Sequence, residues 1–261
     1  MEIPIYQVDA FTGRVFSGNP AAVCPLKGWL PDDLLQAIAA ENNLSETAFF
    51  VPEGDAYPIR WFTPAAEVDL CGHATLASAY VFFSFLDKTA RRVRFSSRSG
   101  PLGVARSSDM LAMDFPSQPP VPCKAPPALL SSLGGNPAEI LCSEDYFVVY
   151  ENEEDIRNLT PDMAGLASLD LRGVIATAPG GPADFVSRFF APALGIPEDP
   201  VTGSAHCALT PYWAKRLGKD DLYARQISGR GGELYCRNLG ERVAISGRAV
   251  LYMKGIIEVN D

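Results

Sequence analysis

The chain has 261 residues, of which 47% are hydrophobic and 20% charged, and its formal net charge is −9 at pH 7. This composition is typical of a folded globular protein, and the length allows one large domain or two of roughly 120 residues. The acidic balance argues against a nucleic-acid partner, and no apolar run reaches the roughly 18 residues of a membrane-spanning helix, so we expect a cytoplasmic protein that binds neither nucleic acid nor membrane.

The first half of the chain predicts helices and strands in alternation. Residues 31–41 favour a helix, with Pro31 in its first turn and two aspartates beside its positive end. Residues 45–51 and 59–63 are rich in β-branched and aromatic types and predict strands. Gly72 then opens a stretch, residues 74–86, that is apolar nearly all round. Such a helix would be buried at the centre of its lobe.

A proline-rich run separates the two halves. Six of the twelve residues in 116–127 are proline, which predicts a linker, because proline is excluded from helix interiors and central strands. Beyond it, residues 186–190 predict a strand and residues 204–217 a helix closed by Gly218. Pro211 lies inside that helix, where a kink would be expected.

Two stretches resemble each other across this run. Residues 60–65 read RWFTPA and residues 188–193 read RFFAPA; each is followed by an aspartate, Asp69 or Asp199, and then by a Gly-x-Ala helix start. Weaker echoes pair residues 18–21 with 135–138, and 45–46 with 143–144. We infer two related α/β lobes, an N-terminal one of residues 1–116 plus 250–261 and a C-terminal one of 117–249, with the ligand site expected in the cleft between them.

Glu46 is the first candidate for chemistry. It begins a predicted strand on which Ala48 and Phe50 share its face. A carboxyl group that loses solvation in this setting could transfer protons near neutral pH. The alternative is a glutamate at the edge of a strand that points into solvent.

Both histidines of the chain, His73 and His206, fall in the repeated helix starts. A histidine there can act in catalysis, or it can cap and pack the helix. The segments Gly72-His73-Ala74 and 203–205 (Gly-Ser-Ala) also offer unpaired backbone N–H groups, which could bind a substrate carboxylate without Arg or Lys.

Asp199 and Cys71 are further candidates. Asp199 precedes the second helix start, where it could bind a substrate amino or hydroxyl group or only stabilise the loop. Cys71 precedes Gly72, and a thiol at the positive end of a helix is expected to have a lowered pKa, although a small buried core cysteine is the more common case.

Other site patterns are missing from the sequence. It has no GxGxxG or GxxxxGK[ST] loop, no HExxH and no GxSxG, and its six cysteines lack metal-ligand spacing. We therefore predict no metal site and no cofactor.

Several long motifs, in order along the chain, resemble the phenazine-biosynthesis PhzF-like family. The resemblance rests on residues 7–23 (QVDAFT and FSGNPAAV), 42–50 (NNLSETAFF), 60–79 (RWFTPAAEVDLCGHATLASA) and 188–209 (RFFAPALGIPEDPVTGSAHCAL). It implies an α+β fold of the diaminopimelate-epimerase-like type, with two pseudo-symmetric lobes, each a curved mixed sheet around a central helix. It also implies that the last strand returns to the first lobe and that the protein is a homodimer.

The resemblance also implies roles for individual residues. Glu46 would shuttle a proton between carbons of a dihydro-hydroxyanthranilate-like carboxylate, with His73 and Asp199 orienting the substrate and tuning Glu46. The expected substrate-binding residues are Asn19, Gly72, Gly203 and Ser204. Related epimerases use two facing cysteines; here Cys71 could match one, but Thr202 or Ser204 stands where the second is expected.

Two alternatives stay open at this point. The first is an amino-acid epimerase or racemase that uses Cys71 with another base. The second is a non-catalytic binding or scaffold protein that kept the fold, because fold alone does not fix function.

Overall fold

The computed structural model describes residues 1–259, which belong to two compact units. Unit 1 comprises Met1–Asp114 together with the chain from Ser246 onward, and unit 2 comprises Phe115–Ile245. Each unit is a mixed sheet of parallel and antiparallel strands with a few helices. The predicted α+β class is therefore confirmed.

Unit 1 contains nine strands and two α-helices among the described residues. Its elements are β1 (Glu2–Ala10), β2 (Asn19–Pro25), α1 (Asp32–Asn42), β3 (Glu46–Phe50), β4 (Tyr57–Phe62), β5 (Glu67–Val68), α2 (Gly72–Val81), a π-helical turn (Phe82–Leu86), β6 (Arg92–Ser97), β7 (Gly100–Ser107), β8 (Met110–Pro116) and, at the end of the chain, β18 (Ala249–Glu258). The predicted helices and strands of the first half are all present, and their ends lie within three residues of the predicted ones. The helix that begins at Gly72 changes to π-type hydrogen bonding after Val81.

The last strand completes unit 1. β18 pairs antiparallel with β1 along its whole length, from Glu2 opposite Glu258 to Ala10 opposite Ala249. β2 pairs with the second half of β1. The return of the final strand to the first lobe, implied by the family resemblance, is confirmed.

Helix α2 is buried, as its all-round apolar sequence predicts. Eight of its ten residues are buried. Its polar side chains bond back to the helix itself: Thr75 donates to the Cys71 carbonyl at 2.6 Å and Ser78 to the Ala74 carbonyl at 2.7 Å. These bonds let hydroxyl groups enter the core without an unsatisfied donor.

Unit 2 repeats this construction with its own core. Its elements are β9 (Val121–Pro122), α3 (Pro127–Leu133), β10 (Glu139–Cys142), β11 (Tyr146–Val149), α4 (Glu153–Arg157), α5 (Met163–Ala167), β12 (Val174–Pro179), β13 (Phe185–Ala191), a 3₁₀ turn (Pro192–Leu194), β14 (Ile196–Asp199), α6 (Ala205–Leu217), β15 (Asp221–Gln226), β16 (Gly232–Asn238) and β17 (Arg242–Gly247). A buried cluster that includes Leu129, Val148, Ile156 and Phe190 forms a core within this unit.

The two units share a strand-by-strand topology. In unit 1, β2 and β3 are parallel, β3–β4 and β4–β5 are antiparallel, and β6 returns parallel to β4. In unit 2, β11 and β12 are parallel, β12–β13 and β13–β14 are antiparallel, and β15 returns parallel to β13. The helices α2 and α6 follow the corresponding short strands. The sequence repeat is thus a repeat of the fold.

The strongest repeated motif has a structural role. Arg60 on β4 donates to both carboxylate oxygens of Glu67, at 2.7 Å each. Arg188 on β13 donates in the same way to both carboxylate oxygens of Glu198, at 2.7 and 2.9 Å. Both guanidinium groups also lie over a phenylalanine ring two residues later in the strand. Each of these two bidentate Arg–Glu pairs, called the arginine forks, joins a strand to the short strand that precedes the buried helix.

The proline-rich run is more ordered than a linker. Pro116 ends β8, Val121–Pro122 pairs with β10, and Pro127 begins α3. A strand end, a two-residue strand and a helix start are places where the missing proline N–H is tolerated. The boundary predicted at 116–127 is therefore close to the observed one, which follows Asp114, but the run is folded into unit 2 and is not a free linker.

Pro211 is accommodated inside α6. Proline has no N–H, so the carbonyl of Cys207, four residues earlier, loses its helical donor. The backbone N–H of Gln118 supplies a replacement at 3.0 Å. The Cys207 carbonyl therefore keeps a hydrogen-bond donor, although the donor lies outside the helix.

No helix among residues 1–259 is long and apolar enough to cross a membrane.

Candidate active site

Glu46 lies in the core of unit 1, at the first position of β3. Its parallel partner on β2 is Ala21, and the whole residue is 8% exposed. The alternative of a glutamate pointing into solvent is therefore wrong. Burial here places a carboxyl group among apolar strands, where an ordered partner is needed.

His73 is that partner. It is the second residue of α2 and 5% exposed, and its Nε2 lies 3.0 Å from Oε2 of Glu46. Its Nδ1 lies 3.5 Å from Sγ of Cys71, the residue that precedes the helix. The helix start and the strand start thus bring three functional side chains together within one unit.

Asn19 completes the cluster. It is fully buried at the start of β2, and its Nδ2 lies 3.1 Å from Nδ1 of His73. The preceding Gly18 has φ +68°, and a Cβ there would come 2.1 Å from the carbonyl oxygen of Ala10. Only glycine fits this turn, and the turn directs Asn19 inward. Asn19 was expected to bind substrate; here it holds the imidazole ring.

The charges of this cluster favour a protonated His73. Burial works against a charge on the ring, but the Cys71 sulfur and the Glu46 carboxylate outweigh it and hold the pKa of His73 well above its ordinary value. Burial, and next the Glu46 carboxylate, raise the pKa of the Cys71 thiol to about 11. The expected lowering of the Cys71 pKa by the helix start is therefore wrong. Since the thiol is neutral near pH 7, Glu46 is the charge that favours the imidazolium.

Asp199 is the centre of a second polar cluster, in unit 2. It is 9% exposed, and its Oδ2 accepts a hydrogen bond from the Thr202 hydroxyl at 2.5 Å. Gln226 on β15 holds the same loop: it accepts from the Thr202 N–H and donates to the Asp199 carbonyl, both at 2.8 Å. Gln226 belongs to none of the motifs that point to the other residues of this cluster. The one available signal was its place among the alternating apolar residues of a strand, where a buried glutamine needs a partner.

Gly203 and Ser204 lie at the entry to α6, as predicted. The Ser204 hydroxyl is 3.2 Å from Nη2 of Arg172. The same guanidinium group donates two hydrogen bonds to the Asp145 carboxylate. His206 follows, fully buried, with Nδ1 2.8 Å from the Thr202 carbonyl oxygen. Burial lowers its pKa to about 4, so His206 is neutral and has the packing role.

Strand register shows that the two units place their acids differently. Phe62 lies opposite Thr47, and its counterpart Phe190 lies opposite Val174, so Glu46 corresponds to Gly173. A Cβ at Gly173 would meet the Phe189 ring at 2.6 Å. Unit 2 therefore has no carboxyl group equivalent to Glu46.

The same comparison corrects the predicted pairing of aspartates. Trp61 lies opposite Val68, and the corresponding Phe189 lies opposite Asp199. Asp199 thus matches Val68 rather than Asp69, an exposed residue. The weak echo of residues 45–46 in residues 143–144 is not structural either, because Ser143 and Glu144 lie between β10 and β11.

The sequence residues thus fall into two groups. Unit 1 brings together Asn19, Glu46, Cys71 and His73, with Gly72 as the first residue of α2. Unit 2 holds Asp199, Gly203 and Ser204 at the entry to α6. The first group contains a carboxylate and a thiol that each contact the same imidazole, a set that can bind and move a proton.

The chain is similar to known proteins over nearly its whole length. The family model described as "Phenazine biosynthesis-like protein" matches residues 8–255. An uncharacterized isomerase of Pseudomonas aeruginosa is 56% identical over 99% of this chain and 100% of its own length. A crystal structure of a PhzF-family phenazine biosynthesis protein from Enterococcus faecalis has a TM-score of 0.97 and 49% identity, covering 99% of this chain and 100% of its own.

A more distant structure supports the fold alone. A hydroxyproline epimerase from Agrobacterium vitis has a TM-score of 0.61 at 11% identity, over 100% of this chain and 93% of its own. The epimerase-like architecture is therefore confirmed. With a family model covering nearly the whole sequence and relatives of this identity, the chain belongs to the phenazine biosynthesis-like (PhzF) family.

Proposed function

We propose that this protein is a cofactor-independent isomerase that moves a carbon-bound proton on a small carboxylated substrate, with Glu46 as its general acid/base. The isomerase class agrees with the names of its relatives, including the 56% identical protein of Pseudomonas aeruginosa. The observation that carries the proposal is the buried Glu46 carboxylate, 3.0 Å from Nε2 of His73. A buried carboxylate that contacts an imidazole can take up a proton from a carbon atom and give it back.

The proposed reaction is a proton shift on one face of the substrate. Glu46 removes a proton from a carbon alpha or vinylogous to a carboxyl group, and the electron pair of the broken C–H bond delocalises toward that group. Glu46 then returns the proton to another carbon of the same face. A protonated His73 stabilises the Glu46 carboxylate before the proton is removed and after it is returned, and the backbone N–H groups at Gly72 and His73 favour the negative charge that the substrate carries in between.

A single acid/base is favoured by the difference between the units. Gly173, at the position that corresponds to Glu46, has no side chain, and Thr202 or Ser204 stands where a two-thiol epimerase would need its second cysteine. We propose a dihydro-hydroxyanthranilate-like carboxylate as substrate, with Asp199 and Ser204 binding its amino or hydroxyl groups and its carboxylate.

Deuterium exchange tests the proposal. The protein is incubated in deuterated water with dihydro-hydroxyanthranilate and a panel of amino and hydroxy acids, and ¹H NMR follows each carbon position. We expect incorporation with the wild type and a loss of roughly 10²–10⁴-fold in Glu46→Gln, the usual contribution of a general acid/base. Glu53→Gln, a change at an exposed carboxylate, is the matched control and should exchange like the wild type. Full activity in Glu46→Gln would remove Glu46 from the mechanism.

An epimerase that uses Cys71 is the second candidate, because its sulfur lies 3.5 Å from Nδ1 of His73. Its pKa of about 11 counts against a reactive thiolate near pH 7. Exchange at a single α-carbon that persists in Glu46→Gln and disappears in Cys71→Ser would establish this reading instead.

A further inference from the structure

We infer that Glu46, Cys71 and His73 form a binding site for a zinc-like divalent metal ion, and that the bound ion blocks proton transfer by Glu46. The binding part of this inference stands on geometry alone. The inhibitory part rests on the proposed function. No cofactor role follows from it, since the ion would occupy the same oxygen that the reaction needs.

The donor atoms are close enough to share one ion. One ligand atom from each of the three residues lies within 4.8 Å of the others. Nε2 of His73 is 3.0 Å from Oε2 of Glu46 and 4.0 Å from Sγ of Cys71. Tetrahedral zinc, with bonds of about 2.0–2.3 Å, separates its ligands by roughly 3.3–3.8 Å. Side-chain shifts of up to about 1 Å would therefore bring all three donors to one ion.

The donor types determine which ions fit. A thiolate, an imidazole and a carboxylate are a mixed set that suits Zn²⁺ and Co²⁺, whereas Mg²⁺ and Ca²⁺ prefer oxygen ligands alone. The Glu46 carboxylate comes from the start of β3, and the thiol and the imidazole come from the start of α2, so regular elements hold all three donors. Glu46, Cys71 and His73 are 8%, 6% and 5% exposed, so each keeps a small contact with solvent.

Asn19 supplies the outer support that such sites need. A metal-binding histidine usually holds its other ring nitrogen in a hydrogen bond, which fixes the ring and its tautomer. Here the Asn19 amide lies 3.1 Å from Nδ1 of His73. An amide has both a donor and an acceptor end, so after a half-turn it can accept a proton from Nδ1 when Nε2 binds the ion.

The ion would stop the reaction at Glu46. An oxygen lone pair that coordinates a metal ion is no longer available to take a proton from carbon. The histidine would also lose the Nε2 proton that faces Glu46. Both consequences come from the same three bonds, so binding and inhibition should have the same metal affinity.

Cobalt binding tests the site without any substrate. Purified protein is titrated with Co²⁺ and followed by the thiolate-to-cobalt charge-transfer band and the visible bands of a tetrahedral ion. We expect one equivalent to bind to the wild type and the charge-transfer band to be lost in Cys71→Ser. Glu46→Gln, which is close in shape to the native residue, should keep the band but bind at least about tenfold more weakly, since even an outer-shell partner contributes 10–100-fold.

The half-buried pair Cys123 and Cys142 provides the control. Their thiols interact with each other in unit 2, and they are the described cysteines most accessible to an added metal. The double variant Cys123→Ser/Cys142→Ser should keep the full cobalt spectrum. A band that survives in Cys71→Ser, or disappears in the double variant, would overturn the assignment.

Zinc inhibition is then measured in the deuterium-exchange assay. We expect Zn²⁺ to abolish exchange by the wild type, EDTA to restore it and Mg²⁺ to have no effect. A cobalt spectrum of the expected kind without zinc inhibition would overturn the inhibitory part only. Absence of exchange by the metal-free wild type, with the cobalt spectrum intact, would instead refute the proposed function.

Discussion

The two histidines of this chain have similar positions in the sequence, each near a helix start. Their electrostatic environments differ, and their pKa values shift in opposite directions. His73 lies 3.0 Å from a carboxylate oxygen, and its pKa is held well above the ordinary value. His206 is fully buried against a backbone carbonyl and the Phe185 ring, with no charged side chain among its described contacts, and burial lowers its pKa to about 4. Proximity to a helix start therefore does not decide the role of a histidine; the neighbouring charge does.

The low pKa of His206 predicts acid sensitivity of unit 2. Its pKa is about 4 in the folded protein and about 6.5 when unfolded, so below pH 6.5 the unfolded state binds the proton more readily. The stability contribution of neutral His206 is complete above pH 6.5 and is lost as the pH falls toward 4, by roughly 3 kcal/mol in free energy of unfolding. Urea midpoints across pH 4–7.5 measure this loss.

His206→Asn is the matched variant, because its amide N–H can still donate to the Thr202 carbonyl but does not titrate. It should show a shallower loss of stability between pH 6.5 and 4 than the wild type. Equal slopes for the two proteins would contradict the buried neutral histidine.

At the residue scale, the sequence predicted the members of the site better than their contacts. The motifs pointed to Glu46, Cys71 and His73, and in the structure His73 contacts both of the others. The contact of Asn19 with His73 joins residues 54 positions apart, and no local pattern encodes it. Gln226 was missed for the same reason, since its partners Asp199 and Thr202 come from a distant loop. The pKa of Cys71 was mispredicted because burial outweighs the effect of the helix start.

At the scale of elements, the repeated Arg-aromatic-Phe motif stabilises each strand and its neighbour. Arg188 is the better test, since besides Glu198 it donates to the carbonyls of Ile156 and Leu159 at 3.1 and 2.8 Å. Its side chain is 13% exposed and that of Glu198 22%. Arg188→Met leaves a half-buried carboxylate and two carbonyls without their donor, and we expect a loss of roughly 3 kcal/mol in the free energy of unfolding.

Two further variants check this expectation by urea denaturation. Arg157→Met removes an exposed ion pair with Glu153 and should change stability by less than about 1 kcal/mol. The double variant Arg188→Met/Glu198→Met should be more stable than Arg188→Met alone, because no carboxylate is left unpaired. Equal losses from Arg188→Met and Arg157→Met would show that the fork carries no special stability.

The same motif shows why sequence repeats locate elements more reliably than sites. The arginine forks and the buried helices recur because each unit needs them to fold. The acids differ between the units: Glu46 corresponds to Gly173, and Asp199 to Val68. Only the register of the strands reveals this difference, because the spacing between motifs drifts by several residues along the sequence.

At the scale of the whole molecule, the two related halves could be predicted from the internal repeat, and the α+β class from the family resemblance. The return of the last strand came from the family resemblance, since an antiparallel partner at the other end of the chain leaves no local signal. The proline-rich run was misread for a related reason: its strand and helix depend on partners such as Leu141 and Cys142, which composition does not reveal.

The final strand predicts how the molecule responds to truncation. β18 supplies nine partners to β1, and β1 in turn pairs with β2, beside the strand that bears Glu46. A chain that ends at Gly247 would leave one side of β1 without hydrogen-bond partners, and buried Ile3 and Ile5 lie on that strand. Unit 2 keeps its own core and every paired strand from β9 to β16. We expect hydrogen exchange to show lost protection throughout β1–β3 and retained protection in β11–β13. Protection retained in β1 would show that the return strand is dispensable, and simultaneous loss in β11–β13 would show that the two units unfold together.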